Sequence, residues 1–137
     1  MGVALAGCGP TWALVGDLAF LHDANALLSA VGRGVDLTVV VVDNQGGGIF
    51  SFLPQASQVD PEVFERLWAT PQRVDVAAVA RAFGAQVSVI DTLDDLARSE
   101  TGPGVRVLVV RTDRQENVAV HARLNAAVAR AVGGTVG

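Results

Sequence analysis

The chain has 137 residues, 50% of them hydrophobic, and a net charge of -4. That is enough apolar material for one domain with a core, and it excludes a disordered chain. The acidic balance, with no basic cluster against it, speaks against nonspecific nucleic-acid binding. The apolar runs are too short to span a bilayer, and no basic segment precedes an apolar run at the N-terminus, so neither a membrane span nor a signal peptide is expected. Cys8 is the only cysteine, which leaves no internal disulfide and no cysteine metal cluster. A reducing cytoplasm is the expected compartment.

The first ten residues, MGVALAGCGP, read as the end of a helix over residues 3–6, broken by Gly7, Gly9 and Pro10. An α/β domain usually opens on a strand, so further sequence is expected upstream. Gly7-Cys8-Gly9 is not a dinucleotide fingerprint. Trp12 stands where the third glycine would be, and the glycines precede a strand instead of following it. Cys8 reads as a small apolar filler. Residues 11–15 form the first clear strand, closed by Gly16 and Asp17. Phe20, Leu21, Ala24, Leu27, Leu28 and Val31 recur at helical spacing, which predicts one helix over residues 19–31 ended by Gly32 and Gly34. Asp23 is expected near the positive end of its dipole, and His22 is expected on the surface or in a hydrogen bond.

Residues 37–42 (LTVVVV) are apolar and mostly β-branched, as in a central parallel strand covered on both faces. The loop over residues 43–48 contains three successive glycines, which allow positive φ and close approach of backbone to a ligand. Ile49, Phe50, Phe52 and Leu53 then form an apolar loop or short helix before Pro54. They read equally as a plug under the sheet edge and as a wall beside a cofactor. A polar loop over residues 55–61 leads to a short helix over 62–68, opened by Pro61 and broken by Pro71. Asp75 caps a helix over 76–83 that ends at Gly84. A strand over 86–90, a short helix from Asp91 or Thr92 to Arg98, and a turn over 99–104 follow. A buried strand over 105–110, an amphipathic helix over 116–132 and a loose tail over 133–137 complete the chain. This alternation indicates an α/β fold, a doubly wound and mainly parallel sheet with flanking helices.

In such a sheet the strand C-termini share one edge, and ligands bind there. Asp17 places a carboxylate at the end of the first strand and Asn44 an amide oxygen at the end of the next. With a carbonyl from Gly46 they form the hard oxygen set that Mg²⁺ or Ca²⁺ requires. An ion with one anionic ligand keeps positive charge and coordinates a diphosphate. The helix beginning near Leu18 aims free N–H groups the same way. Neither Gly-Asp nor Asn-x-Gly is specific alone; the two together, each after a buried strand, are considerably more so. The chain has no GxxxxGK[ST] and no lysine, which excludes a standard P-loop.

Gly16-Asp17, the spacing, and Asn44 resemble the thiamine-diphosphate motif of the pyruvate-decarboxylase-like enzymes. Within that family, GDLAFLHDANALL followed by VVVVDNQGGGIFSFLP is similar to the synthases of menaquinone biosynthesis. TPQRVDVAAVARAFGA and VRVLVVRTDR are similar to their C-terminal end. The resemblance implies the thiamine-diphosphate-binding fold. It makes residues 1–137 one diphosphate-binding, C-terminal domain, with N-terminal and central domains outside it. It implies Mg²⁺, with Mn²⁺ as a substitute, held by Asp17, Asn44 and the Gly46 carbonyl. It implies a cofactor surface of Gly16, Asp17, Leu18, Ala19, Asn44, Gly46, Gly47, Ile49, Phe50 and Leu53. The implied reaction decarboxylates 2-oxoglutarate and adds the succinyl carbanion to isochorismate, in a homo-oligomer. The activating glutamate is implied in the N-terminal domain of a partner subunit, so no catalytic residue is assigned here and the isolated chain is expected to be inactive.

Leu18 and Gln45 depart from the wider motif, which often has Gly and a second Asn there; Leu18 is usual for these synthases. Arg33, Arg66, Arg73, Arg81 and Arg111 have surface roles as their default. The competing readings are another thiamine-diphosphate decarboxylase or synthase, a non-catalytic metal-diphosphate module, and a Mg²⁺-dependent phosphate enzyme. The last requires a second carboxylate beside Asp17, for which Asp43 and Asp23 are candidates.

Overall fold

In the computed structural model the chain is described over residues 1–7, 9–99 and 102–133. Cys8, part of the expected turn over 99–104 and the tail beyond Gly133 lie outside the described residues. The elements in order are α1 (Gly2–Leu5), β1 (Thr11–Gly16), α2 (Asp17–Asp23), α3 (Ala26–Gly32) and β2 (Leu37–Asp43). A 3₁₀ helix (Gly48–Phe52), α4 (Gln55–Gln58), α5 (Pro61–Phe64) and a π-helical turn (Glu65–Ala69) follow. Then come α6 (Val76–Ala82), β3 (Gln86–Ile90), α7 (Leu93–Arg98), β4 (Val105–Arg111) and α8 (Arg114–Gly133). The chain divides into two compact units, Met1–Gly46 with Pro71–Arg111, and Gly47–Thr70 with Thr112–Gly137.

The first unit contains a four-stranded sheet in the order β1-β2-β4-β3, and every pairing is parallel. Val39 of the central β2 lies opposite Ala13 on one side and Val107 on the other. One face of the sheet supplies Leu37, Val39, Val41, Val105, Val107 and Val109 to the core. Phe20, Ala24, Leu27 and Ala30 from the α2–α3 stretch, with Val76, Ala77 and Ala80 of α6, pack into the same cluster. Small alanines on these helices let β-branched strand residues approach closely, and fully burying a valine or phenylalanine contributes about 1.5–3 kcal/mol. The covered face therefore fixes the strand register. On the other face of β1, Trp12 is 54% exposed and Leu14 73% exposed, and on that face of β2 Thr38, Val40 and Val42 are only half-buried, so the expected cover on both faces of β2 is met in part.

The single helix expected over residues 19–31 is two helices. Between them Leu27 N–H donates to Ala24 O, and Leu28 N–H to Asn25 O, in the tighter three-residue pattern. The apolar face persists across this break because Phe20, Ala24, Leu27 and Ala30 all remain buried. Asp23 consequently sits at the C-terminal end of α2, against the expectation for the dipole, and Asp17 is the acid in the first turn. His22 is on the surface, 3.4 Å from the Asp23 carboxylate.

Asp75 caps α6 through Ala78 N–H, and Thr92 with Asp95 forms a capping box at α7. In the second unit, Asp60 accepts from Glu62 and Val63 N–H ahead of Pro61, and residues 55–58 are helical where a loop was expected. The π-helical turn ends at Thr70 (φ 41°), and the Phe64 and Trp68 rings stack at 6.2 Å. The last helix runs longer than expected, with Asp113 accepting from Glu116 N–H at its start. None of its residues is buried, so the amphipathic expectation is not met within the chain.

Candidate diphosphate and cation site

Because the sheet is parallel, Gly16 of β1 and Asp43 of β2 end at the same edge, and the next residues are Asp17 and Asn44. Asp17 is 1% exposed, yet no basic side chain pairs with it among the described residues. Neutral donors hold it instead. Leu18 N–H donates to Oδ1 at 2.8 Å, Gly46 N–H to Oδ2 at 2.8 Å, and Gln72 Nε2–H to Oδ2 at 3.4 Å. The Gly46 bond ties the end of β1 to the loop after β2. That loop turns sharply: Gln45 has φ 58° and Gly46 φ 139°. Glycine is the residue that adopts the second value without strain.

The Asn44 Oδ1 atom is buried and has no hydrogen-bond partner. Leaving such an acceptor unsatisfied costs about 1–3 kcal/mol, so this oxygen suits a donor or a cation. Asp43 lies beside this pair. Burial foremost, and then the charge of Asp17, push its carboxyl above the ordinary value, against the opposing Gln45 N–H and Arg111. An uncompensated buried carboxylate, an orphaned amide oxygen and a second acid nearby fit a hard divalent cation. No three His, Cys, Asp or Glu side chains cluster among the described residues, so amide and carbonyl oxygens must complete any such set. Asp23, the other candidate second carboxylate, is at the far end of α2 and exposed.

The glycines divide their labour differently from the expectation. Only Gly46 of the three uses positive φ. A Cβ on Gly47 would meet Phe50 Cδ2 at 2.7 Å and the Trp68 carbonyl at 2.8 Å, so Gly47 makes room for its own unit. Its N–H donates to Ala69 O at 2.7 Å. Leu18 N–H is already engaged by Asp17, while Gly16 and Ala19 are exposed. Ile49 is 73%, Phe50 37% and Leu53 42% exposed, so these residues are no buried plug. Gln72 is the residue that sequence reasoning missed. It is 55 positions from Asp17, and a lone glutamine after Thr-Pro carries no motif signal.

A family model described as "Thiamine pyrophosphate enzyme, C-terminal TPP binding domain" matches residues 1–101. The chain belongs to this family of thiamine pyrophosphate-binding domains. Within it, the chain is 52% identical over 134 residues to a 2-succinyl-5-enolpyruvyl-6-hydroxy-3-cyclohexene-1-carboxylate synthase from Kineococcus radiotolerans. It is 45% identical over 141 residues to the synthase of the same name from Saccharopolyspora erythraea. These matches cover 96% and 98% of this chain but only 24% of each relative. Among solved structures, benzoylformate decarboxylase from Polynucleobacter necessarius superposes with a TM-score of 0.66 at 26% identity, over 82% of this chain and 22% of that one. A thiamin diphosphate-dependent enzyme from Mycobacterium smegmatis shares the fold, with a TM-score of 0.61 at 21% identity, over 82% of this chain and 20% of that one. Among the described residues no helix is long and apolar enough to cross a membrane.

Proposed function

We propose that this thiamine pyrophosphate-binding domain is the diphosphate-holding part of a synthase that decarboxylates 2-oxoglutarate and adds the succinyl unit to isochorismate. The observation behind the reading is the pairing of buried, uncompensated Asp17 with the orphaned Asn44 Oδ1 at neighbouring strand ends. The 52% identity to a synthase of that name directs the choice of substrates. In this reading Asp17, Asn44 and the Gly46 carbonyl hold Mg²⁺, or Mn²⁺ in its place, against the cofactor diphosphate. The buried carboxylate supplies negative charge where little water screens it. Asn44 contributes a neutral oxygen, so the ion retains positive charge for the diphosphate. Gly16, Leu18 and Ala19 border the phosphates. Thiamine diphosphate, when bound, supplies the nucleophilic carbon and the electron sink for loss of CO₂. Turnover requires the rest of a homo-oligomeric, cytoplasmic enzyme, and the isolated chain is inactive.

Calorimetric titration with thiamine diphosphate, in Mg²⁺ and then in EDTA, tests the reading. Binding should require Mg²⁺. Asp17→Ala should weaken it by more than the roughly 10–100-fold that loss of an outer partner costs at a metal site. Binding that is equal in EDTA, or unchanged in Asp17→Ala, would refute the assignment.

A further inference from the structure

We infer that Gln72 is a positioning residue for the cation ligand Asp17, directing its Oδ1 toward the ion; this rests on the diphosphate-site reading. Gln72 lies in the segment between the π-helical turn and α6, within the first unit, and it is half-buried. Its Oε1 accepts from Val74 N–H at 2.9 Å. A backbone N–H donates only, so the atom facing it must be the oxygen, and the amide nitrogen is left facing Asp17. The amide thus has one orientation, set two residues away.

That nitrogen reaches Oδ2, which already accepts from Gly46 N–H, whereas the one N–H donor on Oδ1 is that of Leu18, with the Asp43 carboxyl also facing the Asp17 carboxylate. A carboxylate oxygen offers about two lone-pair positions. Gln72 therefore supplies the second N–H donor on Oδ2 and leaves Oδ1 with one. It does so without charge. An arginine at this place would form an ion pair and cancel the field the cation requires; a primary amide fixes the rotation of the carboxylate and keeps its full negative charge. At 3.4 Å the contact is long for a hydrogen bond. Outer partners of metal ligands act in this way, and their loss typically costs about 10–100-fold in metal affinity.

The test is a Mg²⁺ titration at saturating thiamine diphosphate, followed calorimetrically, on the wild-type chain and Gln72→Met. Methionine matches the length and removes both the donor and the Val74 contact. The Mg²⁺ midpoint should rise at least about 10-fold, while cofactor affinity at saturating Mg²⁺ stays within about threefold. A merely structural role would lower thermal stability and leave the Mg²⁺ midpoint in place, which would overturn the inference. In the wild-type chain, the Gln72 side-chain amide NMR signal should shift during the same titration. A signal unmoved at saturation overturns the inference even where Gln72→Met does not fold. Absence of any Mg²⁺-dependent binding by the wild-type chain overturns the diphosphate-site reading along with it, whereas equal binding by both chains removes Gln72 alone.

Discussion

Asp17 is tolerated in the interior because three neutral N–H donors surround it, one of them from Gly46. The geometry of Gly46 is therefore linked to that of the carboxylate. At φ 139°, an added side chain is strained, and Gly46→Ala should cost about 1–3 kcal/mol in urea denaturation. Gly47→Ala should cost a similar amount for a different reason, since its Cβ collides with Phe50 and the Trp68 carbonyl. Gly16→Ala is the contrasting case. A Cβ there meets nothing within 4 Å and φ is -81°, so stability should stay within about 0.5 kcal/mol of wild type. A large loss of stability in Gly16→Ala would mean that the Gly-Asp pair serves folding and not ligand approach.

At the scale of elements, the capping box of α7 offers a test by pH. The Asp95 carboxylate accepts from the Thr92 hydroxyl at 2.7 Å and from Arg98 at 3.0 Å, and these partners hold its carboxyl below the ordinary value of 3.8. A depressed acid contributes stability above its unfolded value and loses it as pH falls through the lower folded value. Asp95→Asn should therefore be less stable than wild type at neutral pH. The gap in urea midpoint should close on acidification below about 3.8. A gap constant down to the acid limit would show that the box works through shape alone. The break between α2 and α3 obeys a similar local logic. The spacing of Phe20, Ala24, Leu27 and Ala30 announced the buried face, but nothing in that spacing distinguishes one helix from two with a tight junction.

The whole molecule leaves apolar surface in water. β1 is at the edge of the sheet, and its Trp12 and Leu14 are among the exposed large side chains. Leu124, Val128 and Val132 are exposed along α8, at 56%, 62% and 64%. Unpaired strand edges beside apolar patches promote association. The chain should self-associate at micromolar concentration, and Trp12→Ser with Leu14→Ser should reduce the associated fraction. A monodisperse wild-type monomer in light scattering would contradict this expectation. Such surface is also what a domain covering only 24% of its relatives' length would present.

The order of strands and helices, the apolar strand β2 and the caps at Asp75 and Thr92 were legible along the chain, because apolar patterning and capping are local rules. The same holds for Asp17 and Asn44 as paired candidates, since each directly follows a strand whose end the sequence marks. The tertiary structure decided the rest. It brought Gly46 and Gln72 to Asp17 across 29 and 55 positions, left Asn44 Oδ1 without a partner, and turned Gly47 toward Phe50. Those facts depend on which strand ends become neighbours and which loops fold over them, and chain-local preferences do not encode a partner tens of residues away.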